Sequence, residues 1–337
     1  MVVSATIAGF SATILFAIII RRQTKRMGSF PPPLSYLLGG MLLAALWPLI
    51  PVQFIGIESE LTTTTRMYFT TLLGLLVVLS AGLALPLIHL RKRFQPIAKI
   101  SFVKILPPLL LLPAVSMFLW PDAGAGAIVV GVALSEVSVA ISWSMLDAHN
   151  RLNSRIGKDL LGVTFLVNST VVILTLFILQ TLIVLITILF FVAGIILHNQ
   201  ITDPIKLRFR SFMRIVVTPL FFVFAGARID WSAVIESYAW LLLLFIGIIS
   251  RIALPKNGAS KILDCSIKDA RYFDGLSVSR STFAVLIISL GASAGVIQNE
   301  LLSQSTVIIS LLAAFAAIVA HRVHIQPDEI ELEQTIE

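Results

Sequence analysis

Charge is what this chain has least of. Asp, Glu, Lys and Arg make up 13% of its 337 residues, against roughly 25% in a soluble domain. No soluble domain is left once the apolar runs are set aside. A single cysteine, Cys265, excludes an internal disulfide. There is no Gly-rich phosphate loop, no metal-ligand spacing of His and Cys, and no nucleophile elbow. Intramembrane proteolysis would need paired aspartates, or Ser with His, inside the apolar runs, and neither is present. These absences argue against an enzyme and call for no cofactor.

Apolar residues are plentiful, at 57%. Runs of about 20 recur from end to end, each long enough to cross a ~30 Å hydrocarbon core. Spans are expected at about 3–20, 33–52, 67–90, 100–120, 125–146, 160–179, 182–199, 209–228, 233–252, 273–297 and 302–321. The N-terminal run resembles a signal peptide in length, but its charges follow the apolar stretch, so it reads as an uncleaved first span. The uncharged stretch from Leu160 to Leu197 would be about 57 Å long as one helix. Its flanking connectors are both basic, so it holds two spans that turn near Gln180-Thr181.

The net charge of +7 follows from topology rather than from affinity for nucleic acid. Basic residues gather in alternate connectors: Arg21 to Arg26, Arg91 to Lys99, Arg151 to Lys158, Lys206 to Arg210 and Arg251 to Arg271. The connectors between them carry Glu58, Glu60, Asp122, Asp230 and Glu300. By the positive-inside rule the basic set is cytoplasmic. The N-terminus is then outside and the C-terminus inside, in a multi-pass protein of the cell membrane. Residues 1–322 form one transmembrane domain, and 323–337 form an acidic cytoplasmic tail.

Pro107, Pro108 and Pro113 are expected to interrupt the fourth span, and Gly291 and Gly295 to loosen the end of the tenth. Span 3 ends in LSAGLALPL (79–87) and span 8 in VFAGARIDW (223–231), on opposite faces of the membrane. Inverted-topology repeats give that pattern, with halves of about 33–180 and 181–322. Span 5 then pairs with span 10, and both carry Leu-Ser: LSEVSVA (134–140) and LSVSRST (276–282).

Polar residues inside spans are expensive and need a reason. Glu136 stands alone among apolar residues, while Asn168, Ser169 and Thr170 are adjacent in the next span. Glu136 reads either as a group exchanging protons for cations or as a structural acid. The polar triple offers neutral oxygens for a cation, or hydrogen bonds between helices. Arg280 is expected to neutralise a buried acid, Glu136 or Asp274. Arg251 and Lys104 read as charge-compensating residues of repeat-related spans, or as plain positive-inside charges. His89, His149, His198, His321 and His324 all fall on the predicted cytoplasmic side, as interfacial caps or as a pH sensor.

In series, these stretches resemble the monovalent cation:proton antiporters, particularly the branch of bacterial Na+/H+ antiporters and glutathione-gated K+ efflux systems. PPPLSYLLGGMLL (31–43) is similar to the family's early Pro-x-x-x-Gly-Tyr-x-x-x-Gly span, and LSAGLALPLIHLRKRF (79–94) to its Phe-x-Ala-Gly-Leu-Glu segment. Residues 130–171 follow its Thr-Ser-Pro helix, Asn/Ser-Arg-x-Gly connector and ion-binding helix. TPLFFVFAGARID (218–230) resembles the Pro-x-Phe-Phe-x-x-x-Gly-x-x-x-Asp motif, and residues 275–297 the second crossing helix.

The resemblance implies an all-α polytopic protein of about 11 transmembrane helices, a five-plus-five inverted repeat with crossed broken helices. It implies a homodimer in the lipid bilayer that exchanges Na+ or K+ for H+. The transported cation would be its only metal, and its site residues would be Glu136, Asn168, Ser169 and Thr170. The family's essential Asp falls on Asn168, its neighbour on Val167, and Thr-Ser-Pro is replaced by Glu136-Val137-Ser138-Val139. One proton-binding carboxylate implies one proton per cation. A sodium-coupled solute symporter or uniporter, and a non-transporting membrane sensor or subunit of the same fold, are the alternatives.

Overall fold

The computed structural model describes residues 14–20, 22–23, 31–46, 60–180, 182–252 and 258–325. Among them there are helices and no strands. Most of the expected first span, the Arg21-to-Arg26 connector apart from residues 22–23, the end of the expected second span (47–52), Glu58, Lys256 and the tail beyond Ile325 lie outside the described residues. A short helix α1 (residues 14–20) precedes α2 (Pro32–Leu46), α3 (Glu60–Leu83), α4 (Leu87–Lys92), α5 (Phe94–Leu119), α6 (Ala125–Ala133), α7 (Val139–Ala148) and α8 (Arg155–Leu179). Then come α9 (Leu182–Gln200), α10 (Asp203–Phe212), α11 (Thr218–Gly226), α12 (Trp231–Glu236), α13 (Ala239–Ile252), α14 (Gly258–Leu263), α15 (Ile267–Ser277), α16 (Thr282–Ser293) and α17 (Asn299–Ile325).

Among the described residues, five helical stretches are long and apolar enough to cross a membrane: Phe94–Leu119, Arg155–Leu179, Pro204–Gly226, Ile267–Ser293 (interrupted at 278–281) and Asn299–His324. Five shorter apolar helices accompany them. The chain is a multi-pass membrane protein. The long uncharged stretch divides as expected: α8 ends at Leu179, Gln180 takes a left-handed conformation (φ 47°), and α9 starts at Leu182.

Element order repeats itself along the chain. α3 ends at Leu83 and the six-residue α4 follows; α11 ends at Gly226 and the six-residue α12 follows. The two Ala-Gly pairs before these breaks do the same work. A Cβ on Gly82 would stand 3.1 Å from the Gly194 Cα of α9, and one on Gly226 would stand 3.0 Å from the Gly40 Cα of α2. Small residues let backbones meet in this way where water drives nothing together.

The prolines do not behave as expected. α5 continues through Pro107, Pro108 and Pro113, although each leaves a carbonyl one turn back without its helical donor. Gly131 of α6 packs directly on the Pro113 backbone, so a Cβ there would collide with it. The breaks fall instead at residues 134–138 and 278–281, where there is no proline at all. What ends these helices is hydrogen bonding of the exposed backbone to side chains from elsewhere in the fold.

Candidate functional site at the helix crossing

Two broken helices cross at those gaps, α6–α7 and α15–α16. The Ser138 amide donates to the Ser279 carbonyl at 3.0 Å, joining one break to the other. The Ser138 and Ser281 hydroxyls are in direct contact. Each break leaves a half-helix C-terminus with bare carbonyls and a half-helix N-terminus with bare amides. These ends carry partial charges of about half an electron, negative and positive respectively.

Charged side chains answer three of these ends, and the Ser138 hydroxyl, accepting from the Ile141 amide at 3.1 Å, caps the start of α7. Glu136 is fully buried. Its Oε1 accepts from the Ser281 amide at 2.6 Å and its Oε2 from the Phe283 amide at 3.1 Å, so it caps α16. Arg280, also fully buried, donates to the Leu134 carbonyl beyond α6 and to the Ser277, Val278 and Ser279 carbonyls beyond α15. Arg251 of α13 reaches the Ser135 and Glu136 carbonyls. Arg280 therefore hydrogen-bonds to backbone carbonyls rather than to the acid expected from sequence, though its charge still acts on Glu136. Asp274 is taken by Lys104, whose Nζ lies 2.7 Å from Asp274 Oδ1 and donates to the Arg251 carbonyl at 2.9 Å.

Asn168 of α8 grips the first break. The Val137 amide donates to Asn168 Oδ1 at 3.1 Å, and Asn168 Nδ2 donates to the Val137 carbonyl at 2.9 Å. A carboxylate would accept the first bond but could not make the second. Ser169 and Thr170 do not join it. Ser169 is half-buried, and Thr170 is exposed with its hydroxyl turned back to the Leu166 carbonyl at 3.0 Å. Successive helical residues point about 100° apart, so three in a row cannot face one point.

A small cavity opens beside Asn168, walled by Ala84, Pro86, Trp143, Phe165, Phe191 and Phe283. Asn168 lines it and Glu136 does not, although Phe283 belongs to the backbone that Glu136 caps. The walls are apolar, so a desolvated ion would find its oxygen donors only at the crossing. Among the described residues there is no cluster of His, Cys, Asp and Glu fit to hold a resident metal ion.

One buried carboxylate escaped the sequence reading. Asp159 of α8 is buried, and its Oδ1 lies 2.7 Å from His89 Nε2 and accepts from Arg93 Nε at 3.0 Å. His89 and Arg93 look like ordinary connector charges; only the three-dimensional path of α4 brings them to α8.

Residues 186–323 match the family model described as sodium/hydrogen exchanger, transmembrane. No curated protein matches the chain in sequence. Among solved structures, the sodium proton antiporter MjNhaP1 from Methanocaldococcus jannaschii, determined at pH 8, superposes with a TM-score of 0.65 at 14% identity. The match covers 97% of this chain and 100% of that one. The resemblance to the monovalent cation:proton antiporters thus holds in sequence over residues 186–323 and in fold over nearly the whole chain.

Proposed function

We propose that the protein is a secondary transporter that exchanges a monovalent cation, Na+ or K+, for protons. The observation that carries this reading is the enclosed Glu136 carboxylate at the crossing, one residue from the Val137 backbone that Asn168 holds beside the cavity. A charge this deep is tolerated only where something answers it. Here the answer is a helix N-terminus, which a proton or a cation on Glu136 would make redundant. Loading either ligand would loosen the grip on α16, and that is the coupling an exchanger needs. Asn168 Oδ1, with its second lone pair, and the Ser138 and Ser281 hydroxyls would supply neutral oxygens.

The family matches support cation:proton exchange and do not separate Na+ from K+. On this reading the chain works in the cell membrane as a homodimer, with its basic connectors in the cytoplasm. The repeat halves are 33–180 and 181–322. Reconstitution into vesicles holding a pH-sensitive dye, with Na+, K+ and Li+ added in turn, tests it. Exchange appears as a pH change on adding at least one of these ions; no response to any of them would sink the proposal.

One observation favours a second reading, a non-transporting sensor or subunit. Both Glu136 oxygens and both ends of the Asn168 amide are already bonded to backbone. On that reading the wild type is silent in the vesicle assay and Asn168→Asp gains exchange.

A further inference from the structure

Away from the crossing, at the end of the bundle that carries the basic connectors, three imidazoles meet. His149 caps the C-terminus of α7, and its ring stacks on His324 of α17 with centroids 4.0 Å apart and planes 13° apart. His321, one turn earlier on α17, lies 5.9 Å from His149 at 23°. Each ring has a buried nitrogen without a hydrogen-bond partner: His149 Nε2, His321 Nδ1 and His324 Nδ1. Buried polar atoms are rarely left so, and three in one cluster call for an explanation.

We propose that His149, His321 and His324 form a proton-binding site, separate from the crossing, whose protonation loosens the contact between α7 and α17. The surrounding groups set the sign. From α15, Tyr272 bonds His149 Nδ1 through its hydroxyl at 2.9 Å, and Lys268 acts on His324. Arg151, in the turn after α7, lies over the Tyr272 ring at 4.9 Å and also acts on His149 and His324. The neighbouring carboxylate, Asp269 of α15, is engaged by Arg151 at 2.6 Å. Among the described residues, the charges that act on His149 and His324 are therefore all cationic side chains or the other imidazoles.

Burial first, and then His324, His321 and Arg151, push the His149 imidazole down to about 4 from its usual 6.5. A histidine held below its unfolded value contributes stability that is complete above about 6.5. That contribution drains away as pH falls toward about 4, because the open form binds the proton more readily. Acid thus works against the stack, and the two elements it joins are one arm of the crossing and the last helix. The inference concerns helix contact and stands whether or not the chain moves cations.

Amide hydrogen exchange on the full chain in lipid nanodiscs, without any cation gradient, tests it. Once intrinsic exchange is corrected for, protection of residues 318–325 should fall about three-fold or more between pH 8 and pH 5. In His324→Phe, which keeps a stacked ring but removes one of the three titrating groups, that fall should be clearly smaller. His324→Gln, which loses the ring, should show low protection at both pH values. Wild-type protection that does not change with pH, or a fall of the same size in His324→Phe, would overturn the proposal.

Discussion

The two breaks in the crossing are alike in backbone and opposite in charge. The α6–α7 break carries Glu136, and the α15–α16 break carries Arg280. Each residue reaches the other break: Glu136 caps the start of α16, and Arg280 caps the end of α6 as well as the end of its own α15. Each makes its hydrogen bonds to the main chain rather than to the other, although their charges also act on one another. A crossing built this way has its charge balance written into which helix ends approach each other. Altering a charge at one break should be felt in the helix of the other.

The largest effect should come from Arg280→Met. It leaves the carbonyls of two half-helices bare in a dry core, and removing one side of a buried charged arrangement costs about 3–5 kcal/mol. Thermal unfolding in detergent should show this as severe destabilisation or loss of folded protein. Glu136→Gln keeps the shape but turns an amide toward two backbone donors, with an expected cost of about 1–3 kcal/mol. A comparison of the two melting shifts tests whether the carbonyl side of the crossing depends on charge more than the amide side. Asn168→Asp cannot donate to the Val137 carbonyl and adds a second carboxylate near Glu136. A loss of about 1–3 kcal/mol is expected, eased at low pH, where the introduced carboxyl takes up a proton and can donate again. Thr170→Ala, on an exposed face, should stay within about 0.5 kcal/mol. A large loss there would mean that α8 presents a different face to the crossing.

The expensive residues were legible in the sequence. A lone Glu136, and Lys104, Arg251 and Arg280 within apolar runs, could not sit in lipid without partners, and all four are buried at or beside the crossing. The paired Ala-Gly segments read in sequence only as an internal echo; that they are sites of close helix contact, at Gly82 and Gly226, came from the structure. The positions of the breaks were not legible, because proline is only one way to end a helix. In α5 three prolines are absorbed, while at 134–138 and 278–281 the interruption depends on Asn168, Glu136, Arg251 and Arg280 arriving from other elements. Partner choice was hidden for the same reason. Lys104 finds Asp274 far along the chain, and Asp159 finds His89 and Arg93.

The central claim is that Glu136 exchanges its proton for a cation. Vesicles reconstituted with wild-type protein and with Glu136→Gln at equal density, each given the cation to which the wild type responds, test it most directly. The account predicts a pH change in the wild-type vesicles and none in the variant. Equal exchange by both would contradict it and leave Glu136 as a helix cap alone.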